Sequence, residues 1–321
     1  MSVIGNWLVA RDGRESVAVA RLVAHLQRHA AEYYAEFAAG PSRVRLVSHA
    51  TRPNSQNDLY EFSLSCQSAE RHVIVKVPFP WKAATRPGAG HVDRLPDLPR
   101  LSAPVEPELK TVYELAAMSA LMASTARHPD DRFGSVRILD VLVAPHALIM
   151  EKRPEENLRR LLVSARIGSG ATGDPVPSAM RNAGTWLRRF HALPDLPHTQ
   201  SRDGRPSEFV DSLVRHTEYL CERVRPVRFL EGICSELVTL ARAHLPDRLP
   251  MGLSHGDFSP SNVLVGAQGR VTVFDTLAQW RAPIYEDISQ FIGALKCPGP
   301  HQWRTGIGAE FRTVERWERE F

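Results

Sequence analysis

The chain has 321 residues, 43% hydrophobic and 24% charged, a length that buries a sizeable core and accommodates one large domain or two lobes. Its formal net charge is only +4, and acidic residues alternate with basic ones as in "RTVERWERE", so no basic block interleaved with aromatics marks a nucleic-acid surface. No apolar run approaches the ~20 residues that span a bilayer, and the start "MSVIGNWLVARDGRES" carries charge where a secretion signal needs an apolar stretch.

Residues 16–37 have the spacing of an amphipathic helix, with Val19, Leu22, Val23, Leu26, Ala30, Tyr33 and Phe37 on one stripe, stopped by Gly40 and Pro41. Such a helix either packs on a neighbouring lobe or mediates a homodimer. Three strand-like pieces follow, "RVRLVSHA", "LYEFSLSC" and "HVIVKVPF". From Pro78 to Pro107 the chain is rich in Pro, Gly and Arg without periodicity and reads as a long loop. Helical spacing returns with Leu109, Val112, Leu115, Met118 and Leu121, and then come two further strands, "VRILDVLVA" and "HALIMEK". The first half is therefore expected to be a small mixed sheet carrying one helix.

The second half is mainly helical. Met180, Ala183, Leu187, Phe190 and His191 share one face, as do Phe209, Leu213, Thr217 and Leu220, and Leu230, Ile233, Leu237 and Leu240. The Gly-rich "RIGSGATGDPVPS" lacks the GK[ST] ending of a phosphate-binding loop and receives no chemical role. Cys66, Cys221, Cys234 and Cys297 show no CxxC and no metal-ligand spacing. They read as reduced thiols, and a cytoplasmic location is expected.

The chemistry concentrates in "LSHGDFSPSNVLVGAQGRVTVFD", residues 253–275. "NVLV" and "RVTVFD" flank the tight turn "GAQG" as a hairpin, which brings Asn262 and Asp275 to one end of two paired strands although they are thirteen positions apart. An amide oxygen and a carboxylate are hard ligands suited to a magnesium ion that keeps its other sites for water and phosphate oxygens. Asp257, in the loop just before, is placed to accept or orient a hydroxyl proton.

"HGDFSPSNVLV" followed by "VTVFD" resembles the catalytic and metal-binding segments of the aminoglycoside phosphotransferase and choline kinase group, bacterial relatives of protein kinases that use H-G-D-x-x-x-x-N. The resemblance implies an α+β, two-lobed kinase-like fold: an N-terminal extension over 1–40, a nucleotide-binding lobe with a small mixed sheet over 41–152, and a mainly helical lobe over 153–321. It implies ATP and magnesium as cofactors, Asp257 as the catalytic Asp, Asn262 and Asp275 as metal ligands, His255 as a structural member of the loop and Asp287 in "PIYEDISQF" as a scaffold. His191, on an apolar stripe, reads as a hydrogen-bonded core residue.

Kinases also need a lysine on the third strand to hold phosphates. Lys76 in "HVIVKV" fills that place, with Ile74 on the same face for an adenine ring; a lysine on an edge strand serving solubility is the alternative. Its expected helical partner is Glu114, with Met118 and Leu121 following at i+4 and i+7, and Glu108 is the competitor, with Val112 and Leu115 in the same relation. "ALIMEKRPEENL" resembles the family's hinge, with Met150, Glu151 and Lys152 as the adenine contact region. The pattern departs in two places. "HATRPNSQNDLYEF" contains no glycine where relatives approach the phosphates, leaving Ser55 and Asn57 as side-chain donors or as ordinary turn residues. Thr276 stands where an aromatic is usual.

The expected activity is transfer of the γ-phosphoryl group of ATP to a hydroxyl of a small molecule. Residues 276–321 hold six acidic and six basic side chains, a poor match for a polycationic antibiotic, so a sugar or other small alcohol is expected before an aminoglycoside. A kinase-shaped binding module without turnover is the alternative from another class. No nucleic-acid partner and no membrane span are expected.

Overall fold

The computed structural model describes residues 13–51, 57–78, 105–143, 146–166, 175–223, 227–296 and 318–321. In chain order the elements are α1 (Gly13–Tyr33), β1 (Arg43–Thr51), β2 (Asn57–Ser65), β3 (Glu70–Pro78), α2 (Pro107–Arg127), β4 (Phe133–Gly134), β5 (Ile138–Val143) and β6 (His146–Glu151). They continue with β7 (Glu156–Asn157), α3 (Leu158–Arg166), α4 (Val176–His191), β8 (Gln200–Ser201), α5 (Pro206–Arg223), α6 (Val227–His244) and β9 (Met251–Leu253). Last come β10 (Val263–Val265), β11 (Val271–Val273), β12 (Trp280–Pro283) and α7 (Tyr285–Lys296). Ser55, the Gly-rich loop and nearly all of the Pro-rich stretch lie outside the described residues.

The chain divides into two compact units, Met1–Phe79 with Ile138–Lys152, and Pro80–Arg137 with Arg153–Phe321. The division differs from the boundaries drawn from sequence. The N-terminal helix belongs to the first unit rather than standing apart. Residues 80–137 belong to the second, because Ala117 of α2 and Phe133 enter that unit's core and Tyr113 stacks on His198 at 4.0 Å.

The first unit is a five-stranded sheet in the order β1-β2-β3-β6-β5 with α1 packed on it. Every pairing in it is antiparallel, whereas the sequence suggested a mixed sheet. Alternation explains the core: Tyr60, Phe62 and Leu64 of β2 and Val73 and Val75 of β3 face inward. They meet Leu22, Leu26, Ala30 and Tyr33, the stripe recognised in α1. Of the two roles considered for that helix, packing is the one seen. A buried-edge polar cluster pins it further: Asp140 of β5 accepts from His25 at 2.8 Å and from the Tyr33 hydroxyl at 2.7 Å.

The second unit is built on α4, whose buried Met180, Ala183, Trp186, Leu187 and Phe190 meet Phe258 and Phe291. Two small sheets, β4-β11-β10-β7 and β8-β12-β9, carry the loops of interest. The hairpin β10–β11 is antiparallel with Val263 opposite Val273. Its turn reaches α4 through Asn182, which donates to the Gly269 carbonyl at 2.8 Å, and a Cβ at Gly269 (φ 76°) would stand 2.6 Å from Ser178. Only glycine satisfies both that angle and that approach.

The apolar stripes of α5 and α6 do not enter the core: Phe209, Leu220, Ile233, Leu237 and Leu240 are exposed, and among their described side chains the pair buries only Val210 and Ala241. A periodic stripe gives a helix but does not say what covers it.

Leu26→Ala is expected to lower stability by about 2–5 kcal/mol, because a fully buried leucine leaves a cavity. Leu237→Ala should change it by no more than about 0.5 kcal/mol. Urea unfolding of the two variants checks the contrast.

Candidate functional site

The stretch between β9 and β10 is held by a ring and a charge. Phe258 is fully buried, stacked between Trp186 at 5.8 Å and Phe291 at 5.0 Å, and so fixes the loop to the core. Asp287, 1% exposed at the start of α7, accepts from the backbone N–H of His255 at 2.8 Å and of Gly256 at 3.0 Å, from Ser254 at 3.3 Å and from His191 at 3.0 Å. Burial opposes its charge, but His191, His255 and the two backbone donors together hold its carboxyl below the usual range. Gly256 takes a φ of 80°, the left-handed turn that lets two successive N–H groups converge on one carboxylate. The scaffolding expected of Asp287 and the core hydrogen bond expected of His191 are thus a single contact.

His255 is buried among Trp186, Phe190 and Phe258. Burial lowers its pKa against the opposing pull of Asp287 and Asp275. Its Nδ1 accepts from the Asp257 N–H at 3.3 Å.

Asp257 stands exposed at the end of this turn. One amide group of Asn262 donates to its Oδ2 at 2.9 Å and to its carbonyl at 2.8 Å, and Gln290 of α7 donates to its Oδ1 at 3.1 Å. Both carboxylate oxygens therefore meet neutral donors. Asn262, buried, turns its NH2 towards Asp257, which leaves its oxygen as the remaining acceptor of the amide.

Beyond β11 the chain turns sharply. The Phe274 N–H donates to the Asn262 carbonyl at 3.3 Å, so Asp275 follows one residue past the partner of Asn262. The hairpin register brings the two to the same end, as spacing suggested. Asp275 and Ala278 both adopt positive φ, 66° and 47°, a conformation that side chains rarely take without support. Support is present. Thr276, fully buried, donates to the His255 carbonyl and accepts from the Ala278 N–H, both at 3.1 Å. His198 donates to the Leu277 carbonyl at 2.7 Å and Thr199 to that of Ala278 at 2.8 Å. The threonine that departs from the family pattern ties the two polar loops together.

In the first unit, Lys76 is 4% exposed on β3, opposite Leu59 and Leu148. β3 is a central strand, so the edge-strand explanation does not apply. Ile74 lies half-buried on the same face and pairs with Met150. Asn57 is buried at the start of β2. The Lys152 ammonium meets Glu61 at 2.7 Å and its N–H donates to the His72 carbonyl at 3.0 Å, so neither group is left for adenine. Glu151 faces Val73 in the ladder. In the second unit Glu114 is 3% exposed and Glu108 is exposed. Among the described residues no three His, Cys, Asp or Glu side chains group to hold a metal by themselves.

Comparison with known proteins decides the family. The model of the phosphotransferase enzyme family (APH) matches residues 69–287, about two thirds of the chain. The chain belongs to the phosphotransferase enzyme family. No curated protein sequence matches this phosphotransferase. Among solved structures it is similar to an aminoglycoside-3'-phosphotransferase of type VIII (15% identical, covering 96% of this chain and 91% of that one, TM-score 0.45). It is also similar to a glucosamine kinase (17%, 88% and 81%, 0.42) and to the choline kinase LicA from Streptococcus pneumoniae (12%, 91% and 85%, 0.39). Family membership rests on the sequence match and agrees with the two-unit, kinase-like arrangement of elements. No described helix is long and apolar enough to cross a membrane.

Asp287→Asn is expected to lower stability by about 2–4 kcal/mol at pH 7, since an amide cannot accept from all four donors. Because the folded pKa of Asp287 is depressed, its contribution is present above the ordinary aspartate value of 3.8 and lost as pH falls through the lower folded value. The urea midpoints of native and variant chains should therefore stay apart from pH 7 down to about pH 4 and converge only below it.

Proposed function

We propose that this phosphotransferase moves the γ-phosphoryl group of ATP, with magnesium, to a hydroxyl of a small molecule. The observation that carries the reading is the exposed Asp257 carboxylate, gripped by two neutral amides and placed beside the hairpin end that bears Asn262 and Asp275. A carboxylate so held is oriented to meet an acceptor hydroxyl. The amide oxygen of Asn262 and the Asp275 carboxylate are hard donors that fit magnesium, whose remaining positions go to water and phosphate oxygens. Bound there, the ion would neutralise charge on the phosphates.

In the first unit, Lys76 is the residue assigned to the phosphates, with Ile74 and Met150 against the adenine and Asn57 and Ser55 near the phosphate loop. Glu114 is the carboxylate assigned to Lys76 in preference to Glu108, on burial. Glu151 and Lys152 complete the hinge assignment through the strand itself, since the Lys152 side chain and N–H are engaged elsewhere. The acceptor is assigned to the helical unit, where Arg202 links Glu208 of α5 to Glu286 of α7 beside Asp287. The even charge balance of residues 276–321 favours a sugar or other small alcohol over a polycationic antibiotic.

Calorimetry with ATP or GTP, with and without magnesium, tests this. The native chain is expected to bind ATP in a magnesium-dependent way, and Asp275→Asn to lose the magnesium-dependent part. A phosphoryl-transfer screen should then find turnover with an amino or neutral sugar before an aminoglycoside. Binding without transfer to any acceptor, water included, would favour a non-catalytic module, the reading supported by the glycine-free stretch 49–62. No nucleotide binding by the folded chain would end the kinase reading.

A further inference from the structure

Gln290 is a residue to which neither the motif nor the family match assigns anything, yet it touches Asp257. It stands three residues after Asp287 on α7, the spacing that puts two side chains on one helical face. Asp287 draws in the backbone of 255 and 256, and Gln290 then meets the side chain of 257. The next residue, Phe291, is fully buried against Phe258, so this face of α7 is rigidly seated.

The amide faces Asp257 through its NH2, because the reverse would set oxygen against a carboxylate oxygen. The consequence is a cost. Gln290 Oε1 is buried with no hydrogen-bond partner, one of the few such atoms among the described residues. Leaving a desolvated acceptor unmet is unfavourable, and such atoms in a folded protein call for a reason. Contact with the Asp257 carboxylate supplies one.

With Asn262 on Oδ2 and Gln290 on Oδ1, rotation of the Asp257 carboxylate is fixed from both sides. Asn262 is part of the recognised motif, and Gln290 is its counterpart from outside the loop. Resting on the phosphotransferase reading above, we propose that Gln290 is a positioning residue for Asp257. It fixes the carboxylate plane from the α7 side, opposite the hold of Asn262, and so sets the direction in which the carboxylate meets the acceptor hydroxyl.

The test uses the full chain and magnesium ATP, with water as the probe acceptor in slow ATP hydrolysis. Gln290→Ala is expected to lower kcat by about 10- to 100-fold, the effect of a misoriented reacting group, with KM for ATP little changed. Gln290→Met, which keeps the packing volume but not the amide donor, is expected to lose as much kcat as Gln290→Ala, again with KM for ATP little changed. A residue that merely packed would give Gln290→Met the native kcat. The side-chain NH2 resonances of Gln290, native against Asp257→Ala, read the contact without turnover and should shift. Folded Gln290→Ala and Gln290→Met variants with native kcat would overturn the proposal. If the native chain binds no nucleotide or does not hydrolyse it, the phosphotransferase reading is what fails, and unshifted Gln290 NH2 resonances would overturn the contact itself.

Discussion

A single buried carboxylate organises the site. Asp287 is removed from water at a cost of several kcal/mol unless its oxygens are met, and four donors meet them, from His191, Ser254 and the backbone of His255 and Gly256. Two of those are main-chain groups, so the charge fixes the direction of the backbone and not only a side chain. It can do so because α7 itself is anchored, with Phe291 and Leu295 in the core of the unit. The order of dependence runs from the aromatic core to α7, from α7 to the turn at Gly256, and from that turn to Asp257.

The second polar loop relies on the first. Asp275 and Ala278 hold left-handed backbone angles that cost energy in isolation. Thr276 bridges to the His255 carbonyl, and the 198–200 segment caps the carbonyls of Leu277, Ala278 and Gln279. His198 also stacks on Tyr113, which joins α2, the helix of the buried Glu114, to the same structure. Within the second unit, then, the carboxylates at 257 and 275 and the helix bearing Glu114 are set by one continuous set of contacts.

Much of this was legible in the residues. The β10–β11 register followed from two short apolar runs around a Gly-bearing turn, because a hairpin leaves little choice of pairing. All five strands of the first unit followed from short apolar and β-branched runs, and α1 from its stripe. Lys76 was legible as an oddity in a strand, but its central position was not, since strand order depends on pairings that sequence spacing does not encode. The stripes of α5 and α6 gave the helices but not their exposure, because periodicity reports a face and not its partner. Thr276 looked like a defect because its role lies in a hydrogen bond to a residue 21 positions away. Gln290 was overlooked although "EDISQF" places it at i+3 from Asp287, a spacing that was available to be read.

In the proposed function, Asp257 serves the chemistry and not nucleotide binding. Comparison of Asp257→Asn with the native chain, following release of the γ-phosphoryl group from magnesium ATP alongside nucleotide affinity, tests it most directly. The account predicts affinity close to native and transfer reduced by roughly 10²–10⁴-fold, the usual worth of a positioned acid–base group. A variant that binds nucleotide and transfers phosphate at the native rate would contradict it.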